Sequence, residues 1–392
     1  MDHLILKSPK LNWSIPKLRV TKWEDIIRKD NASNQNIDIS DTELSSIIYT
    51  SGSTGTPKGV MLSHKNIVSN TLSICHYLNL SDKDIQMVVL PFFYVFGKSL
   101  LNSHFAVGGS VVINNKCAFP AVVLKQMAEE NVTGLSGVPS TYAYLLHRSP
   151  LEKYRNKLPH LRYCSQAGGH MAHTLKVKLR KTLPKHTQIF VMYGATEASA
   201  RMSSLLPHQF TSKIGSIGLP ISGVYLSVFD KNGKRLPKGG IGELVASGDN
   251  IMLGYWNDPQ STDRVVDING YHTGDIGYQD DDGFFYVTGR KDNLIKVNGH
   301  RINPQEIEDV LQSTGLTIEC AVLAVQDDFS GNKLFALVTP KDNEFSTNSL
   351  ICLLEKKLPR HKMPSEAIPI RAIPKKANGK IDRTRCLELL AN

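Results

Sequence analysis

The stretch Tyr49-Thr-Ser-Gly-Ser-Thr-Gly-Thr-Pro-Lys-Gly59 follows the apolar pair Ile47-Ile48, and its reading decides the fold. Ile47-Ile48-Tyr49 predicts a buried strand. The run behind it, Thr50, Ser51, Gly52, Ser53, Thr54, Gly55 and Thr56, is built of small hydroxyl residues and glycines. Such a loop turns backbone N–H groups and hydroxyls toward phosphate oxygens, and Lys58 adds a mobile cation. A lone Gly/Ser/Thr run is more often a flexible loop; ten ordered positions behind a strand point to a phosphate cradle. It is not a Walker A loop, which needs Gly-Lys followed by Ser or Thr, whereas Lys58 lies between Pro57 and Gly59. A G-x-G-x-x-G run behind a strand, the dinucleotide signature, is also missing.

Outward from this loop, short apolar runs alternate with helical patterns, which predicts a parallel sheet covered by helices. Ser63 reads as the N-cap of a helix whose buried stripe would be Ile67, Val68, Leu72, Cys75 and Leu78. Strands are expected at 86–90, 110–113, 132–138, 161–166 and 188–192, with helices near 120–131, 140–148 and 172–183. Beyond about residue 213 the strands shorten and turn signals appear, Lys231-Asn-Gly-Lys234 among them, so an antiparallel β subdomain should run to about Gly289. From Lys291 the pattern resets to a small α+β unit, with a helix at 305–313 and strands at 318–325 and 334–339. The fold class is therefore α/β: a large domain, 1–291, and a small C-terminal domain, 292–392.

Composition sets the outer limits. The 392 residues carry 46 Lys+Arg against 36 Asp+Glu, a formal charge of +10, with 41% hydrophobic and 21% charged residues. That balance excludes a disordered chain and suggests two or three cores. The Lys and Arg residues are dispersed, with no run of five, so nucleic-acid binding has no stripe to rest on. Six scattered cysteines without a C-x-x-C pair read as reduced thiols of a cytoplasmic protein. Residues 1–10 lack the regions of a signal peptide, and no stretch approaches the roughly 20 apolar residues of a membrane span.

With further segments added, the sequence resembles the adenylate-forming superfamily of acyl-CoA synthetases, peptide-synthetase adenylation domains and luciferases. Tyr193-Gly-Ala-Thr-Glu197 is similar to its nucleotide and metal motif, with Gly194 and Ala195 along the AMP, Thr196 at the α-phosphate and Glu197 on Mg²⁺. A single carboxylate suits that cation, which keeps water and phosphate oxygens as its other ligands. Tyr271-His-Thr-Gly-Asp275 and Gly289-Arg-Lys-Asp-Asn-Leu-Ile-Lys296 resemble the ribose-binding and hinge motifs. The resemblance gives Asp275 both ribose hydroxyls, Arg290 the ribose or phosphate, and Asp292 the hinge of a mobile lid. Gly299, in Val297-Asn-Gly-His-Arg-Ile302, would lie beside the thiol acceptor. Lys380, in Pro374-Lys-Lys-Ala-Asn-Gly-Lys-Ile-Asp-Arg383, would bridge the attacking carboxylate and the α-phosphate.

By the same resemblance, Leu90-Pro-Phe-Phe-Tyr-Val-Phe-Gly97 is the substrate-side motif, with Tyr94 where a His is common. Tyr94, Phe96, Gly97 and Val138 would wall the acyl pocket, and Gly168 and Gly169 would lie beside adenine. The motif holds no Asp to receive an α-ammonium, so a non-amino acid, aliphatic or aryl, is expected. The implied reaction takes ATP, Mg²⁺ and an acid to acyl-AMP and passes the acyl group to CoA, or to phosphopantetheine on an acyl carrier protein. Relatives carry a longer segment before the phosphate loop; 48 residues precede Tyr49 here, and residues 17–28 resemble its connection. An exposed apolar face covered by a partner or a second copy, or a catalytically weak nucleotide-binding subunit, is the corresponding expectation.

Overall fold

The computed structural model describes residues 38–51, 57–116, 119–297, 300–327 and 331–391. The readings made for residues 17–28, Gly52, Ser53, Thr54, Gly55, Thr56 and Gly299, and for the side chains of Ser51 and Asp292, lie outside the described set. Residues Asp41–Asn392 form the unit considered below.

Two strands, β1 (Leu44–Ser51) and β2 (Pro57–Ser63), lead into helix α1 (His64–Leu78). Ser63 caps it as expected: its hydroxyl accepts from the Asn66 amide while the Asn66 side chain accepts from the Ser63 amide. Then follow β3 (Ile85–Val88), α2 (Val95–Ala106), β4 (Ser110–Ile113), α3 (Pro120–Glu129), β5 (Gly134–Gly137), α4 (Pro139–Arg148), β6 (Tyr163–Gln166), α5 (His173–Thr182) and β7 (Gln188–Tyr193). The bounds of β3 to β7 and α3 to α5 agree with the sequence expectation to within two residues at each end. Proline opens α3 and α4 at the first turn, where its missing N–H costs nothing.

Strands β3 to β7 pair in parallel in the order β4-β3-β5-β6-β7, and β8 (Ser203–Leu205) and β9 (Leu219–Pro220) extend the sheet antiparallel. One face packs on α3 to α5 through Leu124, Met127, Leu135, Tyr142 and Leu179. The other packs on α1 and α2 through Ile74, Leu78, Phe96, Leu100 and Phe190. Strands β5 and β6 are buried along their whole length, and the polar side chains they carry are paired there, the Ser136 and Ser165 hydroxyls at 2.7 Å. At their amino ends a buried carboxylate ties three strands together. Asp84 accepts from Arg162 at 2.8 Å, the Ser81 amide at 2.8 Å and the Thr133 hydroxyl at 2.9 Å.

Two expectations are corrected. Strand β1 is not part of the parallel sheet: it pairs antiparallel with β2, which also receives β12 (Gly254–Tyr255), and Tyr49 is 64% exposed. A two-stranded return across the Gly/Ser/Thr loop lets β1 pair locally, so its apolar run covers one side only. The buried stripe of α1 is also different, since Val68 and Leu72 are 52% and 60% exposed. The face turned inward carries Asn66, Asn70, Thr71, Ser73, Ile74 and Leu78. Its amides and hydroxyl donate to distant carbonyls, Asn66 to Asp249 and Ile251, Asn70 to Arg201 and Ser73 to Ser222. Hydrogen bonding, not hydrophobicity, fixes how this helix is rotated.

The β subdomain comprises β10 (Val224–Phe229), β11 (Gly242–Gly248), β13 (Val266–Asp267), β14 (Gly270–Gln279) and β15 (Phe285–Arg290), all antiparallel. Asp230 accepts from the Asn232 and Lys234 amides in the expected turn. After the hairpin β16 (Ile295–Val297) and β17 (His300–Ile302) come α6 (Pro304–Ser313), β18 (Thr317–Asp327), β19 (Gly331–Pro340), α7 (Thr347–Glu355), β20 (Glu366–Pro369) and α8 (Arg383–Ala391). This part has its own core of Ile302, Ile307, Leu311, Val322, Val338, Leu350 and Leu354. A buried ion pair, Arg383 to Glu308 at 2.7 Å, joins α8 to α6.

Candidate active site

Open α/β sheets place ligands outside the carboxyl ends of their strands. Here the carboxyl ends of β3, β5, β6 and β7 lead directly to Tyr94, Val138, Gly168 and the run Tyr193 to Glu197. The chain after β7 folds back sharply. A Cβ on Gly194 would lie 1.9 Å from the Ala200 carbonyl, so only glycine fits, and Ser199 and Ala200 take φ of 54° and 110°. This loop buries Thr196 and leaves Glu197 partly exposed.

Glu197 is held from two sides. Its carbonyl accepts from the Met252 amide at 2.9 Å, and its Oε1 accepts from the Tyr255 hydroxyl at 2.9 Å. Burial, together with the Glu197 carboxylate, pushes Tyr255 far above its ordinary range, so the hydroxyl stays a donor. The same ring lies 4.9 Å beneath Lys58 Nζ, which donates to the Ser261 hydroxyl at 2.9 Å. Thr50 stands opposite Lys58 in the β1–β2 register. Tyr255 thus connects the phosphate-loop lysine to the expected metal carboxylate. A lone carboxylate at a strand end fits Mg²⁺ held chiefly by phosphate and water.

Asp275 on β14 and Arg290 at the end of β15 are register partners. Arg290 Nε lies 3.1 Å from Asp275 Oδ1, and the Tyr193 hydroxyl donates to Asp275 Oδ2 at 2.6 Å. Burial raises the Asp275 carboxyl, against the pull of Arg290, the Tyr193 hydroxyl and Lys380. The motif residues from β7, β14 and the last loop therefore meet in one place. The hinge position Asp292 falls in a single turn, Lys291–Asn293, beside Lys291, whose Nζ lies 2.9 Å from Glu243.

Lys380 extends from a tight turn in which the Gly379 amide donates to the Lys376 carbonyl at 2.9 Å. Its Nζ lies 5.9 Å from the Tyr94 ring. Gly379, at φ 80°, rests on the start of α4: the Ser140 hydroxyl donates to its carbonyl at 3.0 Å, and a Cβ there would meet Val138 Cγ2 at 2.9 Å. Gly168 touches the other side of the same valine, a Cβ there meeting Val138 Cγ1 at 3.1 Å and the Tyr94 hydroxyl at 3.0 Å. Tyr94 and Phe96 are edge-to-face at 6.4 Å, and Gly97 presses on the Pro91 carbonyl. Gly168, expected beside adenine, therefore also borders the expected acyl wall. Gly169 packs on Pro139, and its carbonyl accepts from Gln166 at 2.8 Å.

Sequence reasoning missed Tyr255, Gly379 and Arg201. Tyr255 and Arg201 are ordinary residue types, and the contacts that tie them to the site, to Glu197 and to Phe96, lie far off in the chain. Gly379 stands one residue before Lys380, and the Asn378-Gly379 pair is the turn signal that could have been used.

The chain is similar to known proteins over most of its length. Residues 5–256 match the family described as AMP-binding enzyme, and residues 306–380 match the AMP-binding enzyme C-terminal domain. A 2-succinylbenzoate–CoA ligase of Bacillus cytotoxicus is 32% identical over 348 residues, covering 89% of this chain and 70% of that protein. An oxalate–CoA ligase of Saccharomyces cerevisiae is 33% identical over 354 residues, covering 89% and 64%. Among solved structures, ATP-bound MatB from Rhodopseudomonas palustris superposes with a TM-score of 0.80 at 28% identity, covering 91% of this chain and 70% of that one. The o-succinylbenzoate CoA synthetase MenE of Bacillus subtilis, in complex with its acyl-adenylate, gives 0.78 at 26% identity, covering 92% and 73%.

Proposed function

The chain belongs to the AMP-binding enzyme family as an ATP-dependent, AMP-forming ligase that uses Mg²⁺ and CoA, and we propose that it couples a non-amino carboxylic acid to the CoA thiol through an acyl-adenylate. The observation that carries this reading is the convergence of Lys380, Tyr94, Asp275 and Tyr193 at the carboxyl edge of the sheet, with Thr196 and Glu197 on the same strand end. The acid's carboxylate attacks the α-phosphorus of ATP, the bond to pyrophosphate breaks, and acyl-AMP forms. The CoA thiol then attacks the acyl carbon, and AMP leaves. Lys380, a compact charge on a flexible stem, offsets the charge that gathers between carboxylate and α-phosphate in the first step. Glu197 holds Mg²⁺, which when bound neutralises phosphate charge.

We assign residues 1–291 to the body and 292–392 to a lid that turns about Asp292, because two half-reactions on one centre require two placements of the thiol path. Separate cores and a polar seam support the division: His170 to Asp309 at 2.9 Å, Ser140 to Gly379, and Lys375 over the Tyr144 ring at 3.9 Å. The acid is aliphatic or aryl, in keeping with the absence of an Asp in the Tyr94 motif. Five free thiols among the described residues support a reducing, cytoplasmic setting, and none of the described helices is long and apolar enough to cross a membrane.

The test is acid-dependent pyrophosphate release across an acid panel, with and without CoA, repeated with Lys380→Ala. Release should collapse in the variant, while thioester formation from supplied acyl-AMP persists. Equal loss of both steps would overturn the role given to Lys380, and release that never yields a CoA thioester would overturn the acceptor.

A further inference from the structure

Among the described residues, Arg201 is a buried cation without an anion. Its side chain is 2% exposed, and among the described residues no carboxylate lies within ion-pair distance of it. Nη1 donates to the Ala200 carbonyl at 2.9 Å, Nε points at the Met192 sulfur at 3.4 Å, and the guanidinium lies 4.0 Å from the Phe96 ring centroid. A carbonyl, a thioether, the Tyr77 hydroxyl and a π face surround the guanidinium, and all four are neutral company for a buried charge. Elsewhere the fold meets this need: Arg162 has Asp84, and Arg383 has Glu308.

The position is also held firmly. Ser199 and Ala200 occupy the left-handed side of backbone space, which costs non-glycine residues energy and persists only where the surroundings enforce it. The enforcement is visible: Asn70 and Asn250, both buried, donate to the Arg201 carbonyl at 2.8 and 2.9 Å, and the Ser199 hydroxyl donates to the Asn250 carbonyl at 2.8 Å. A surface arginine needs no such clamp.

Its location gives the charge a purpose. Lys380 approaches the Tyr94 ring, Tyr94 meets Phe96 edge to face, and Arg201 stacks on Phe96. Two cations thus bracket one aromatic pair, and that pair belongs to the acyl wall. We propose that Arg201 is a specificity residue that receives a second anionic group on the acid, so that this ligase takes dicarboxylic acids and adenylates the carboxylate distant from Arg201. The inference rests on the ligase reading above and deepens it. A bidentate guanidinium suits a carboxylate, and engaging one carboxylate also decides which end of the diacid reacts.

The experiment compares matched pairs, succinate with butyrate, glutarate with valerate, and phthalate with benzoate, in acid-dependent pyrophosphate release by the wild type, Arg201→Met and Arg201→Lys. Methionine keeps apolar bulk against Phe96, and lysine keeps the charge. The wild type should favour diacids. Arg201→Met should lose about 100-fold in kcat/KM on its best diacid, mainly through KM, without loss on the matching monoacid, and Arg201→Lys should recover part of the preference. Circular dichroism checks folding; if the methionine variant does not fold, the wild-type ratio and the lysine variant decide. A wild type that prefers monoacids, or variants that lower both classes equally, would overturn this inference and leave the ligase reading standing. No acid-dependent release with any acid would overturn both.

Discussion

Replacing Tyr255 by Phe isolates one hydroxyl at the junction of two charges. The ring that lies 4.9 Å below Lys58 Nζ is kept, so the cation–π contact, about 0.5–1 kcal/mol at a partly exposed site, survives. What disappears is the 2.9 Å hydrogen bond to Glu197 Oε1. A hydrogen bond to a charged group contributes about 1.5–3 kcal/mol when buried, and Glu197 is partly exposed, so the lower end applies. A loss of about 1–2 kcal/mol in holding the proposed metal carboxylate corresponds to a roughly 5- to 30-fold fall in kcat/KM for MgATP. Because Tyr255 is pushed far above its ordinary range by burial and by Glu197, the effect should be constant across the assay's pH range. Initial rates of pyrophosphate release, measured against Mg²⁺ at fixed ATP, should show the Mg²⁺ midpoint moving upward, while acid KM and thermal stability hold. An unchanged Mg²⁺ dependence, or a loss confined to acid KM, would refute the reasoning. Tyr255→Leu, which also removes the ring below Lys58, should lose more than Tyr255→Phe.

Other perturbations follow from the same structure. Burial, Lys178 and Lys341 hold His147 down to about 4 against an ordinary value of 6.5. The unfolded chain therefore binds a proton that the folded one refuses, and stability falls as pH drops through that window. In His147→Gln the difference in unfolding free energy between about pH 7 and about pH 4.5 should shrink by on the order of 1–2 kcal/mol, read by denaturant titration; an unchanged difference sinks the argument. For Asp84, burial alone would raise the carboxyl, but hydrogen bonds from Arg162, Ser81 and Thr133 together with the Arg162 charge outweigh it and hold it below its usual range. Its contribution is present above the unfolded value and is lost as pH falls through the folded one. Asp84→Asn should cost about 2–4 kcal/mol at neutral pH and flatten the acid limb, and an equally steep acid limb would contradict this. Gly379→Ala places a Cβ at positive φ and 2.9 Å from Val138, so seating of the Lys380 loop should weaken by about 1–2 kcal/mol. Adenylation should slow while thioester formation from acyl-AMP does not; parallel slowing would count against that loop's role.

Much of the fold was legible because its signals are local. Strands β4 and β7 contain short apolar runs bounded by Gly or polar turns, and Ser63 and the prolines of α3 and α4 mark helix starts by side-chain chemistry alone. Strand pairing is not local, which is why Ile47-Ile48-Tyr49 reads as a buried strand although Tyr49 is exposed. The rotation of α1 was misread because Asn66, Asn70 and Ser73 are buried for the carbonyls they reach, more than a hundred positions away. Within the site, residues carried by motifs of fixed spacing were identifiable. Asp275, Arg290 and Lys380 do meet near Tyr193 and Tyr94. Tyr255 and Arg201 were invisible because each meets a residue 58 or more positions distant, and because Arg201 has no ionic partner among the described residues.

Val138 is a party wall. One methyl faces Gly168 on the side proposed for the acid, and the other faces Gly379 on the side of the lysine turn. With no slack on either side, a change in the bulk of residue 138 cannot be felt by the acid alone. A larger side chain narrows the room for the acid and at the same time props the lysine turn off its seat; a smaller one loosens both. Acid size and the timing of the first chemical step are thereby mechanically linked through a single isopropyl group, and selection for a new acid at this position would carry an unavoidable kinetic side effect.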